Sequence, residues 1–167
     1  TVDYAISGWI HFVANNDAQR AIAASVCGKA LQQPLDDEIK AMLIRQLELI
    51  GDESNVAVLS TLLTNERLSG PASQALAHIG TPTAGEALLS ALLAVDSDQM
   101  KTTLVNALGQ AGYLQAEPVM LELLNNNPSG DLEKVLYEAL GRIGTKAFLE
   151  PLKRAGKQNQ YTYEKAN

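Results

Sequence analysis

Apolar residues recur along this chain at intervals that only a helix explains. Counting back from Gly51, Gly80, Gly112 and Gly144, the residue one before is Ile50, Ile79, Ala111 and Ile143, and the residue four before is always leucine: Leu47, Leu76, Leu108 and Leu140. Eight before come Leu43, Ala72, Leu104 and Leu136, and twelve before come Ile39, Leu68, Met100 and Leu132. At 3.6 residues per turn these offsets fall on one stripe, so each glycine closes an amphipathic helix. The glycines are 29, 32 and 32 residues apart, a period that marks a repeat architecture.

A second, shorter helix follows each glycine. Eight residues after it stand Leu59, Leu88, Met120 and Leu152, and twelve after stand Leu63, Leu92 and Leu124, with Gly156 breaking the series. The glycines sit where a helix end needs a left-handed residue, a conformation that glycine adopts without a Cβ clash. Loop residues fit the same borders: Asp36 and Asp37 after Pro34, Ser69 before Gly70 and Pro71, Asp96 to Asp98 before Met100, and Ser129 to Asp131 before Leu132. The pattern predicts helices near residues 3–14, 17–32, 36–50, 54–64, 69–79, 83–94, 97–111, 115–125, 131–143 and 145–155. Ala75, Ala107 and Ala139, with Gly109 and Gly141, are small residues placed for close approach of neighbouring helices.

A lone two-helix hairpin cannot bury both of its apolar faces, so copies stack. The expected fold is therefore all-α: an α-solenoid of stacked antiparallel helix pairs forming a right-handed superhelix. It is expected as one repeat domain over residues 1–167, with about five pairs and divergent or incomplete terminal ones. Aromatic content of 5% under an excess of alanine and leucine agrees with close-packed helices.

Charge and cysteine content narrow the function classes. A net charge of -6 and a sequence pI near 4.9 repel phosphate backbones and anionic membranes, which argues against a general nucleic-acid binder. The single cysteine, Cys27, rules out an internal disulfide framework and any CxxC site, and within "AIAASVCGKAL" it reads as a small buried hydrophobe. No apolar run reaches the ~18 residues of a membrane span. The chain begins with Thr1, which is expected for a piece of a longer product.

The phrases "ALAHIGTPTAGEALLSALL", "NALGQAGYLQAEPVMLELL" and "EALGRIGTKAFLEPL" resemble HEAT-like repeats of the short bacterial type, the kind also found in phycobilin lyases. The resemblance covers roughly Ile39 to Ala155 and leaves Thr1 to Pro34 as a divergent first repeat. It departs from the pattern at Asn15 and Asn16, where a first turn glycine is due, and at Gly156. It implies a protein-interaction scaffold, and bacterial relatives that are often exported or periplasmic and multidomain, some of them carbohydrate-directed. HEAT-like hydroxylases hold two irons through His-Glu pairs, but this chain has no His-Glu dipeptide and only two histidines, His11 and His78. HEAT-like DNA glycosylases use a basic groove, which an acidic chain does not offer, and no residue marks a bilin site. The resemblance thus implies no catalytic residue, no metal site and no cofactor.

The helices that precede the glycines carry the candidate interaction face. At 100° per residue, positions two, six, nine and thirteen before the glycine lie together, away from the apolar stripe. Across repeats they form three ladders: Leu49, His78, Gln110 and Arg142; Arg45, Gln74, Asn106 and Glu138; and Glu38, Arg67, Gln99 and Asp131. The first two are the candidate face, a shallow groove for a protein or peptide partner or for another domain of the same chain; an ordinary solvated helix face has the same composition. The "DSD" at Asp96 to Asp98 is read as a helix cap and His78 as a surface residue. Ile6, Trp9, Ile10 and Val13 follow a helical stripe with no earlier helix to cover it, and Tyr4, Trp9 and Phe12 cluster beside it, so self-association through the first helix is expected. The expected function is a non-catalytic interaction scaffold working through its concave face or its open ends. The alternative is an accessory module of a larger exported enzyme.

Overall fold

The computed structural model describes residues 2–126, 128, 130–144, 146–149 and 152–153, with side chains from Ser7 on, His11 aside. Among these residues the secondary structure is helical throughout: α1 (Val2–Val13), α2 (Asp17–Leu31), α3 (Asp37–Ile50), α4 (Val56–Ser60), α5 (Ser69–Ile79), α6 (Pro82–Ala94), α7 (Asp98–Ala111), α8 (Glu117–Asn125) and α9 (Gly130–Ile143). Short 3-10 turns at Glu53–Asn55, Leu114–Ala116 and Lys146–Phe148 lead into or follow these helices.

Helices α3, α5, α7 and α9 pack side by side in one layer, each against the next. The intervening helices cover them as a second layer: α2 lies on α3, α4 on α5 and α6, α6 on α5 and α7, and α8 on α9, while α1 closes the first pair against α2 and α3. The chain is thus an all-helical stack of antiparallel pairs. Its core runs between the layers, where the repeated leucines Leu47, Leu76, Leu108 and Leu140 are at most 1% exposed. Leu59, Leu88 and Met120 meet them from the second layer, fully buried. One member of the stripe fails: Ile39, in the first turn of α3, is exposed.

Gly80, Gly112 and Gly144 end their helices at φ of 64°, 62° and 71°, the left-handed conformation expected of them. Gly51 does not. Its backbone is extended, at φ -61° and ψ 152°, and glycine is required there for another reason: a Cβ would run into the carbonyl oxygen of Leu47. Close approach likewise explains Gly109, where a Cβ would lie 2.7 Å from the Cα and Cβ of Ala139 on α9. The equivalent Gly141 has open space, with only a ring carbon of Phe148 as near as 4.0 Å.

The helix predicted over 54–64 is much shorter. Ser60 and Thr61 turn their hydroxyls back onto the carbonyls of Ala57 and Val58, each at 2.8 Å, and the amides of Leu62 and Leu63 bond three residues back rather than four. Hydroxyls that compete for backbone carbonyls loosen the helical ladder, and the chain leaves α4 in tight turns. Leu63 stays 1% exposed all the same. Asn65 then stops the turn, its side-chain oxygen accepting from the amides of Arg67 and Leu68 at 2.9 and 3.0 Å.

Capping follows the sequence in part. Asn16, in the place of the missing first glycine, caps α2 by accepting from the Gln19 amide at 3.1 Å, and Thr81 caps α6. Asp36 and Ser97 occupy N-cap positions but make no side-chain cap bond, which corrects the reading of those two loops. The helix predicted over 145–155 falls mostly outside the described residues, as do Gly156 and the side chains of Tyr4 and Ile6.

Candidate functional site

The ladder residues sit on the first layer, on the side turned away from the second. The same 3.6-residue geometry that buries the leucines turns positions two and six before the glycine outward. Arg45 and Leu49 on α3, His78 on α5, Gln110 on α7 and Arg142 on α9 are exposed; Gln74, Asn106 and Glu138 are half-buried between adjacent helices. These positions form a row across α3, α5, α7 and α9.

Contacts between neighbouring repeats fix this row. At its start Arg67 on the approach to α5 donates through Nε and Nη2 to Glu38 Oε1 on α3, the former at 3.0 Å. Midway, His78 Nδ1 lies 3.0 Å from the carbonyl oxygen of Gln74 and 3.7 Å from Oε1 of Glu48 on α3. Further on, Arg142 donates from Nη1 to Oδ1 of Asn106 at 3.2 Å, and Lys134 approaches Glu138 at 3.9 Å within α9. These pairs are solvent-exposed, so each contributes at most a fraction of a kcal/mol. Their consequence is orientation: they hold polar side chains in place along the row.

Two shallow hollows open between the helices of this layer. One, of about 510 Å³, is lined by Gln74, Ala77, His78 and Gln110. The other, of about 480 Å³, lies at the first turns of α5 and α7, between Arg67 and Pro71 on one side and Gln99, Met100 and Thr103 on the other. The structure therefore brings Gln74, His78 and Gln110 together and joins Asn106 to Arg142. Arg45 and Leu49 stand exposed on α3 outside both hollows. Glu48 and Ala77 were missed by the ladder count. Each lies one residue, or 100°, round from a counted position, and only the distance between helices decides whether such a flanking residue belongs to the face.

The chemistry of the remaining residues is plain. Cys27 is buried at 4% exposure, and desolvation pushes its thiol up from the ordinary value, the opposite of what a nucleophilic thiolate needs. Among the described residues no three His, Cys, Asp or Glu side chains come together in a group able to hold a metal ion. Among the same residues no helix is long and apolar enough to cross a membrane. His11 lies outside the described side chains.

Comparison with known proteins agrees with this geometry. A family model described as HEAT repeats matches residues 85–166, from within α6 onward. No curated protein matches the chain. The matched residues carry HEAT repeats, and the stacked, all-helical architecture of the described residues is that of a HEAT-like α-solenoid.

Proposed function

We propose that this stack of HEAT repeats is a non-catalytic scaffold that holds a protein or peptide partner, or another domain of its own polypeptide, along the outward face of α3, α5, α7 and α9. HEAT repeats are generally protein-interaction scaffolds. The observation that supports this face over others is the oriented row itself: exposed Arg45, Leu49, His78, Gln110 and Arg142 and half-buried Gln74, Asn106 and Glu138 line the four helices of one layer, with Glu38–Arg67 and Glu48–His78 contacts joining α3 to α5 and an Asn106–Arg142 contact joining α7 to α9. A row of mixed donors and acceptors suits a polypeptide, whose backbone alternates the two. Phosphate backbones are disfavoured by the net charge of -6.

The test is site-specific photo-crosslinking. A photoreactive residue at Gln74 or Gln110 on the first layer is compared with one at Leu93 or Leu114 on the second, both of which are exposed. Partners captured from the first-layer positions alone support the reading. Equal or greater capture from Leu93 and Leu114 overturns it.

A second contact surface has its own support. Trp9 at 47%, Phe12 at 75%, Ile22 at 62% and Val26 at 54% exposure place much of the chain's exposed apolar surface on the first helix pair. We assign this end to self-association, with its test given below.

A further inference from the structure

We propose that the hollow between α5 and α7 receives a lysine or arginine side chain from the bound segment, with His78 as its acceptor. This rests on the reading of the first-layer face above and names the partner's chemistry. A carbonyl oxygen can only accept a hydrogen bond, so the 3.0 Å contact between His78 Nδ1 and the Gln74 carbonyl places the imidazole proton on Nδ1. In the neutral form of the ring, which has one N–H, Nε2 is then left with its lone pair. Because Nδ1 is turned back onto its own helix, Nε2 occupies the outward edge of the ring.

The surroundings strengthen that polarity. Glu48 Oε1, 3.7 Å from Nδ1, favours the same tautomer, and a carboxylate behind one ring nitrogen makes the other a better acceptor. Gln74 and Gln110 line the same hollow and add amide oxygens, and Ala77, small and only 8% exposed, forms a floor that an aliphatic stem can lie on. The acceptor set is therefore one imidazole nitrogen and two amides, with a carboxylate behind.

Charge points the same way. A net charge of -6 draws cationic partners, whereas an anionic group in this hollow would meet the Nε2 lone pair and the Glu48 carboxylate. The arginines of this face lie outside the hollow: Arg45 on α3, Arg67 at the approach to α5, paired with Glu38, and Arg142 on α9, where Nη1 is engaged by Asn106 at 3.2 Å. They bracket the acceptor hollow rather than fill it, so the preference for a basic residue is local to one repeat boundary.

The experiment is an NMR titration of the whole chain with three acetylated, amidated hexapeptides in which glycine alternates with lysine, glutamine or glutamate. The lysine peptide should move the side-chain amide signals of Gln74 and Gln110 and the ring signals of His78, and should bind about tenfold tighter than the glutamine peptide, as a charge-assisted bond allows. His78→Phe should abolish that preference and Glu48→Gln should reduce it. His78 and Glu48 are only partly covered, at 55% and 35% side-chain exposure, and both variants are expected to fold. Equal or larger shifts at the same residues with the glutamate or glutamine peptide overturn the assignment to a basic side chain and leave the reading of the first-layer face standing. Absence of any shift on the first layer with all three peptides overturns both.

Discussion

Gly109 and Gly141 occupy the same place in consecutive repeats, three residues before the turn glycine, yet their surroundings differ. A Cβ on Gly109 would press on Ala139 at 2.7 Å, whereas one on Gly141 would stand free. Gly109→Ala should therefore force α7 and α9 apart and destabilise by about 1–3 kcal/mol. Gly141→Ala should stabilise by about 0.5–1 kcal/mol, because a glycine inside a helix pays excess backbone entropy. Urea unfolding of the two variants decides this, and a neutral Gly109→Ala would show that the helices are not in contact there. Cys27 gives a second prediction. Its thiol is raised above the ordinary 9.0 by burial, so the native chain keeps a proton that the unfolded chain loses as pH climbs past that value. The unfolded state then binds fewer protons, and native stability falls with rising pH above 9.0 while being fully present below it. Urea unfolding at about pH 8 and about pH 10.5 should show the advantage of wild type over Cys27→Ala shrinking at the higher value.

The helical elements were legible because one offset rule, applied to four glycines, specified both the stripe and the turn. It located Leu47, Leu76, Leu108 and Leu140, all at most 1% exposed, and the outward ladder that shares their helices. It failed where chemistry other than hydrophobic periodicity decides. The end of α4 depends on the Ser60 and Thr61 hydroxyls, and the conformation of Gly51 depends on the Leu47 carbonyl, neither of which a stripe records. Asn55 was missed for a similar reason. In sequence it is one polar residue of "GDESN"; in the fold it is 1% exposed, donating from Nδ2 to the Ala24 carbonyl of α2 at 3.0 Å and accepting from the Asp52 amide at 3.1 Å. Gly28 makes room for it, since a Cβ there would fall 2.7 Å from Nδ2. Asn55→Ala leaves the Asp52 amide without this partner and should cost about 1–3 kcal/mol. Because the lost bond joins α2 to the turn before α4, amide exchange should quicken more in α1 and α2 than in α7 and α9. Uniform quickening would mean that Asn55 supports the stack as a whole instead of one boundary.

At the scale of the molecule, stability in a stack is a sum of pairs and of the interfaces between neighbours, so apolar surface left outside those interfaces is a cost. Helices α1 and α2 carry such surface. Ile10 and Val13 are buried at 0% and 2%, turned toward the following helices, while Trp9 and Phe12 on the same helix, and Ile22 and Val26 on α2, remain largely in solvent. Four large apolar side chains on one helix pair are a cost that association relieves, and the mixed, polar row along α3, α5, α7 and α9 offers no comparable gain. The apparent mass in multi-angle light scattering should therefore rise with concentration for this chain. The double variant Trp9→Ser and Phe12→Ser should stay monomeric, while Gln74→Ala with Gln110→Ala should associate as the parent does. Both substituted tryptophan and phenylalanine side chains are at least 47% exposed, so their loss should leave the far-UV helical signal unchanged and separate association from folding. A parent chain that stays strictly monomeric at high concentration removes the first helix pair as a self-association surface and leaves the polar row as the one proposed contact face.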